Sequence, residues 1–245
     1  PELATWETLP DGDFGLRAPA EIGGPIAEEQ SYAVLSDGSF YCVYRTIDGH
    51  PACAYSRDGG HTWSAPQYAR YADGRLIKHP RAANFVWKCR NGNYLYWFHN
   101  HGGRFIREHP KRRSIAYEDR NPVWLCGGIE ADGPDGRVIR WSQPEIALYD
   151  DDPYIRMSYP DLIEEGGRYY LTETQKDIAR VHEIDRSLLE GLWTQGERCE
   201  ISADGLALAL PTVGQPMPLE ATLPDLPSFT QRDPTRADYG SCDLR

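Results

Sequence analysis

Nowhere does this 245-residue chain hold the roughly 18 consecutive apolar residues that a membrane-spanning helix needs, so no membrane span is expected. A basic stripe is missing as well. The formal charge is −11, and the one basic cluster, Arg104 to Arg113, is broken by Gly102-Gly103 and Pro110 and reads as a solvated loop. That balance argues against nucleic acid as a partner. The six cysteines (Cys42, Cys53, Cys89, Cys126, Cys199 and Cys242) include no C-x-x-C or other metal-like spacing. Cys42 and Cys53 flank a turn at Ile47-Asp48-Gly49 and could face each other across a hairpin, although free thiols are the expectation. His99 and His101 could grip a metal, but no third ligand stands near them in sequence, so neither metal nor cofactor is expected. No signal peptide leads the chain, which starts at Pro1 and stops at Asp243-Leu244-Arg245, and it reads as a segment of a longer protein.

What is present is a succession of short strands punctuated by turns, the mark of an all-β fold. Ser31 to Leu35, Phe40 to Thr46, Pro51 to Tyr55 and Gln67 to Arg70 make a first group of four, separated by Ser36-Asp37-Gly38, Asp48-Gly49 and a longer turn. Ala82 to Lys88 and Asn93 to His99 flank Arg90-Asn91-Gly92, a hairpin signal, and Pro122 to Cys126 follows before a Gly-rich turn through Asp135-Gly136. A third group runs through Ser158 to Ile163, Tyr169 to Thr174 and Ile178 to Ile184. Asp185 then caps a short helix carrying Leu188, Leu189, Leu192 and Trp193. From about residue 201 the text changes to a proline-rich linker, with Tyr239 onward opening a further module.

The longer turn is the most informative stretch. Ser56-Arg57-Asp58-Gly59-Gly60-His61-Thr62-Trp63 fits S-x-D-x-G-x-T-W. Asp58 can collect N–H groups of its own turn, the glycines supply positive φ, and Trp63 opens the return strand. Trp63-Ser64-Ala65-Pro66 is echoed by Trp141-Ser142-Gln143-Pro144, a repeat at the spacing of stacked sheets. The motif resembles the Asp box, or bacterial neuraminidase repeat, of sialidase-type β-propellers, and the resemblance covers roughly Glu28 to Trp193. It implies a partial sialidase-like propeller of about three four-stranded blades over 1–200, the C-terminal half of a six-bladed ring. The segment 201–245 would then be the linker and the start of a further, lectin-like module. In that family the box marks the blade periphery and carries no chemistry.

The resemblance extends to site residues by order and spacing. Sialidases place a glutamate before a strand pair ending in an arginine, as Glu28-Glu29 does before Arg45. They place a nucleophilic tyrosine in a Tyr-x-Asp-Leu segment after W-S-x-P, as in Tyr159-Pro160-Asp161-Leu162. It therefore implies Tyr159 as nucleophile and Glu29 as its base, with Glu28 the alternative base. Arg45 and Arg120 would hold a substrate carboxylate, with Asp161 in the same Tyr-x-Asp-Leu segment; apart from the resemblance, Glu173 at a strand end, with Arg180 and His182, could line the pocket. A phenol suits a sugar with a carboxylate on its anomeric carbon, because a carboxylate nucleophile would be repelled. The implied activity is a retaining exo-glycosidase on acidic sugars, with a glycan or oligosaccharide as partner. The first substrate arginine and the acid/base aspartate fall upstream in the family, so this segment alone would be inactive. Two other readings stay open: a non-catalytic glycan-binding propeller, and another polysaccharide-active enzyme with His79, His101 or His182 as base.

Overall fold

The computed structural model describes residues 5–19, 27–102, 120–152, 155–175 and 178–198, all inside one compact unit, Pro1–Ala203. The cluster Arg104 to Arg113 and the expected linker and module at 201–245 lie outside the described residues. Twelve strands and one helix are found among those described: β1 (Glu28–Val34), β2 (Phe40–Arg45), β3 (Ala52–Ser56), β4 (Gln67–Tyr68), β5 (Phe85–Lys88), β6 (Tyr94–Phe98), β7 (Val123–Gly133), β8 (Gly136–Trp141), β9 (Glu145–Leu148), β10 (Ser158–Glu165), β11 (Arg168–Gln175), β12 (Ile178–Ile184) and α1 (Arg186–Arg198). They form three antiparallel sheets in the orders β1-β2-β3-β4, β5-β6-β7-β8 with β9 also on β7, and β10-β11-β12. The architecture is all-β, as the turn punctuation predicts.

The sheets are not uniformly four-stranded. The third has three strands among the described residues, and the second has five because its outer strand is split. β8 pairs with the far half of β7, and β9 with its near half, from Val123 to Leu125. The break between them is Trp141-Ser142-Gln143-Pro144, and it repeats the geometry of Trp63-Ser64-Ala65-Pro66. In the first sheet the Ser64 N–H bonds the Tyr55 carbonyl at 2.8 Å, and the Ser64 hydroxyl accepts from the Tyr55 N–H at 3.0 Å. In the second, Ser142 does the same with Gly127 at 2.8 and 2.9 Å. The sequence echo is therefore a structural repeat in which a long β7–β8 hairpin replaces the compact Ser56–Trp63 turn.

That compact turn is held by its own polar groups. Asp58 accepts from the Thr62 N–H at 2.9 Å and from the Thr62 hydroxyl at 2.6 Å, while the Ser56 hydroxyl bridges Asp58 and the Gly60 N–H at 2.8 Å each. Gly59 and Gly60 sit at φ of 74° and 101°, where a side chain would be strained. The Trp63 indole N–H closes onto the Gly60 carbonyl at 2.9 Å.

Sheet two is the slab against which the others pack. β6 reads Tyr-Leu-Tyr-Trp-Phe, and all five residues are buried. Such a run cannot face water on either side. Tyr94, Tyr96 and Phe98 join a core with Ala33, Tyr41 and Val43 of sheet one, whereas Leu95 and Trp97 join one with Tyr169, Leu171 and α1. Asp185 caps α1 through the Ser187 N–H at 2.7 Å. The helix lies so close over β7 that a Cβ on Gly127 would stand 2.7 Å from the Leu192 backbone. Cys42 and Cys53 pair with Ala54 and Val43, so they point to opposite faces of their sheet and are free thiols, as expected.

Sheets one and two are also clamped by Glu130 on β7. It accepts from the Ser36 N–H at 2.9 Å, the Tyr94 hydroxyl at 2.5 Å and Arg137 at 3.1 Å. Burial opposes its charge, but the hydrogen bonds from Ser36, Tyr94 and Arg137 outweigh that and bring its pKa from 4.5 down to about 2. A depressed folded-state pKa contributes stability that is complete above the ordinary value and disappears as pH falls toward about 2. Glu130→Gln should therefore cost roughly 1.5–3 kcal/mol at neutral pH, from lost charge-assisted bonds, and flatten the acid limb of a denaturant-midpoint titration between about pH 5 and 2. An unchanged acid limb would show that Glu130 is not the clamp.

Candidate active site

The antiparallel order gives the molecule two ends. Phe40 pairs with Ser56, which puts the Ser56–Trp63 turn at the end where β2 starts, whereas Glu28 pairs with Arg45 at the end where β2 finishes. The starts of β1, β5 and β10 share that second end, together with the segments leaving β2, β6 and β11. β1 lies beside β5, since the Val86 N–H bonds the Ser31 hydroxyl at 3.0 Å.

Both β1 and β10 begin with a bulge. The register slips between Glu28 and Ser31 against β2, and again between Ser158 and Asp161 against β11. Each slip inserts one extra residue, which re-aims side chains that would otherwise alternate across the sheet. The residues in the slips are Glu29, at φ 57°, and Tyr159, at φ 46°. Left-handed backbone is uncommon for any residue but glycine and unusual for a bulky one. Two bulged strand starts, 130 residues apart, bring these side chains together: the Tyr159 hydroxyl donates to Glu29 Oε1 at 2.9 Å.

Around the pair stand arginines. Arg45 Nη1 is 2.7 Å from Glu29 Oε2, and its Nη2 and Nε lie 2.5 and 3.2 Å from Glu28 Oε2. The slip explains how one guanidinium meets two consecutive carboxylates. Arg81 is 3.7 Å from Glu28. Arg120 donates to the Ser158 hydroxyl at 2.5 Å, next to Tyr159, and burial lowers its pKa despite the charges of Tyr159 and Glu29. Tyr159 is raised, first by its hydrogen bond to Glu29, then by burial and the Glu29 charge, with Arg120 and Arg45 pulling the other way. The phenol is therefore neutral at rest, and its proton points at the acceptor that would take it. Tyr159 is 54% exposed, so the pair opens to solvent.

Neither Asp161 nor Glu173 is hydrogen-bonded to the Tyr159–Glu29 pair among the described residues. Asp161 is exposed and accepts from the Leu162 N–H at 2.8 Å, next to its own bulge. Glu173 is fully buried, bonded by Arg180 and lying 3.2 Å from His182, with Arg180 also 2.7 Å from Asp150. His79 donates from Nε2 to the Ala82 carbonyl at 2.7 Å and accepts the His99 N–H on Nδ1 at 3.3 Å, so both its ring nitrogens are used. Burial pushes its pKa down to about 3. His79 is thus a packing group stacked on His99. Among the described residues no group of three or more His, Cys, Asp or Glu side chains could hold a metal ion.

Asn84 was not expected. It stands just before β5, two residues ahead of the Val86 whose N–H bonds Ser31 of β1, and is fully buried with neither amide atom hydrogen-bonded among the described residues. A lone Asn before a strand reads as a turn residue in sequence, so nothing marked it out.

No protein-family model and no curated protein sequence matches the chain. Solved structures do. An intramolecular trans-sialidase from Ruminococcus gnavus, in complex with oseltamivir carboxylate, is similar at 20% identity over 71% of this chain and 35% of its own, with a TM-score of 0.49. The leech intramolecular trans-sialidase, complexed with 2,7-anhydro-Neu5Ac, is similar at 20% identity over 67% of this chain and 24% of its own, with a TM-score of 0.48. An α-L-arabinofuranosidase from Fusarium graminearum is similar at 13% identity over 64% and 43%, with a TM-score of 0.39. The chain thus spans about a quarter to a third of the length of the two trans-sialidases.

Replacing Glu29 by Gln removes the negative acceptor and leaves Arg120 and Arg45 acting on the phenol. The pKa of Tyr159 should then fall, read from its Cζ resonance in a chain labelled with 13C-tyrosine. A Tyr159 resonance whose titration does not move would separate the two side chains.

Proposed function

We propose that this site belongs to a retaining exo-glycosidase acting on acidic sugars, with Tyr159 as nucleophile and Glu29 as its base. The observation that carries the reading is the 2.9 Å bond from the Tyr159 hydroxyl to Glu29, made by two residues in left-handed backbone at bulged strand starts. Non-glycine residues persist in that conformation at a cost, and such residues cluster where function requires them.

The chemistry follows from the groups present. Tyr159 Oη forms a bond to the anomeric carbon while its proton passes to Glu29, and the aglycone departs with the electron pair of the broken glycosidic bond. The aglycone takes a proton from solvent; water then attacks the same carbon and loses a proton to solvent, while Glu29 returns the proton it took to Tyr159, which leaves as the phenol, and two inversions give net retention. A raised phenol pKa fits proton transfer concerted with attack rather than a standing phenolate. The cationic groups Arg45, Arg81 and Arg120 around the pair suit a sugar that carries a carboxylate beside the attacked carbon. A general acid for the leaving group is not among the described residues gathered around the pair.

Because fluoride departs with little help from an acid, a fluorinated sialosyl fluoride that stalls deglycosylation should label this chain on Tyr159, as seen by peptide mass spectrometry. Tyr159→Phe should abolish the label, and Glu29→Gln should slow it by about 10²–10⁴-fold, the worth of a general base. A label on another residue, or no label with the sugar demonstrably bound, would refute the assignment and favour a glycan-binding module.

A further inference from the structure

Arg45 is paired with two of this chain's own carboxylates. A guanidinium recognises a carboxylate through an edge that offers two parallel N–H groups. The Nε–Nη2 edge is occupied by Glu28 Oε2, at 3.2 and 2.5 Å, and Nη1 lies 2.7 Å from Glu29 Oε2 as an ion pair that lacks hydrogen-bond geometry. The Arg45 side chain is only 11% exposed, so a ligand has little room to approach it except where Glu28 lies. Glu28 itself is 43% exposed, at the rim of the site. It is therefore a negative group placed where an incoming anionic sugar would have to put its own carboxylate.

We propose that Glu28 is a specificity-determining residue: its carboxylate stands in for a ligand carboxylate on Arg45, and an acidic sugar binds Arg45 only by displacing it. The inference rests on reading the site as one for acidic sugars and deepens it. Glu28 touches Arg45 and Arg81 and takes no part in the proton transfer between Tyr159 and Glu29. Displacement exchanges one carboxylate partner of Arg45 for another, so the largely buried guanidinium is not left unpaired. Arg81, 3.7 Å from the same Glu28 oxygen, gives the displaced carboxylate a second cation to pair with. Glu29 cannot play this part, since its other oxygen holds the Tyr159 hydroxyl. The register slip makes the arrangement possible: without the extra residue in β1, consecutive side chains would point to opposite faces and only one acid would reach Arg45.

Glu28→Gln removes the competing charge and keeps the shape; Glu28→Ala vacates the edge. The probes are N-acetylneuraminic acid and its methyl ester, which differ only in the charged group, titrated into the chain and followed by calorimetry and by the Arg45 Nε–H resonance. In both variants the acid should bind roughly tenfold tighter or better than to the unaltered chain, the scale of removing one like charge a few ångströms away. The ester should change by less than about twofold, since it carries no charge to compete. In the unaltered chain the acid, and not the ester, should shift the Arg45 Nε–H. If the acid binds but neither variant tightens it, or if ester and acid respond alike, Glu28 is not the competitor and the proposal falls while the acidic-sugar reading stands. If neither acid nor ester binds the chain or its variants, the acidic-sugar reading itself fails and takes the proposal with it.

Discussion

The hydrogen bond between Tyr159 and Glu29 exists because two strands start badly. β1 and β10 each carry one residue too many for their partners, and each extra residue sits in left-handed backbone that costs of order 1–3 kcal/mol. Neither cost can be met locally. Tyr159 is half exposed, and Glu29 is bonded only through polar groups at its charged tip. The strain persists because the rest of the sheets over-determines where those strands begin.

What over-determines them is sheet two. β6 is apolar on both faces, so sheet one and sheet three are each driven onto it by burial that neither could achieve alone. The faces then lock through specific contacts: Ser31 onto β5, Glu130 across to Ser36, and the Trp193 indole N–H onto the Tyr94 carbonyl at 2.8 Å. With the inner strands fixed, their starting residues converge at one end. The other end is free to carry compact turns, among them Ser56–Trp63, whose polar bonds are satisfied within the turn and ask nothing of the site.

Much of this was readable in the sequence, for physical reasons that also mark the limits. β1 to β3 and β12 fall within a few residues of their expected bounds because Asp-Gly turns and alternating apolar residues punctuate them. β8 was missed: Gly127, Gly128 and Gly133 look like a turn, yet β7 runs straight through them, since Leu192, Trp141 and Val138 approach too closely for any Cβ there. The bulges left no trace. Left-handed φ is normally announced by glycine or asparagine, and here glutamate and tyrosine adopt it. Motif spacing therefore pointed to Glu29 and Tyr159 without giving the geometry that joins them. It also could not show that Arg45 is shared by two neighbouring acids, because an unbulged strand would turn one of them away. The strand end marked Glu173, Arg180 and His182 as a group, but not that Glu173 would be buried and bonded to the other two, a matter of which face β11 buries.

The central claim is that two distant bulges hold one phenol against one carboxylate, and a double-mutant cycle tests it most directly. Unfolding free energies of the chain, Glu29→Gln, Tyr159→Phe and the double variant give a coupling energy specific to that pair. A coupling of about 0.5–3 kcal/mol is predicted, as for groups that share a hydrogen bond. A coupling indistinguishable from zero, with all four chains folded, would mean that Tyr159 and Glu29 do not meet, and would contradict the account.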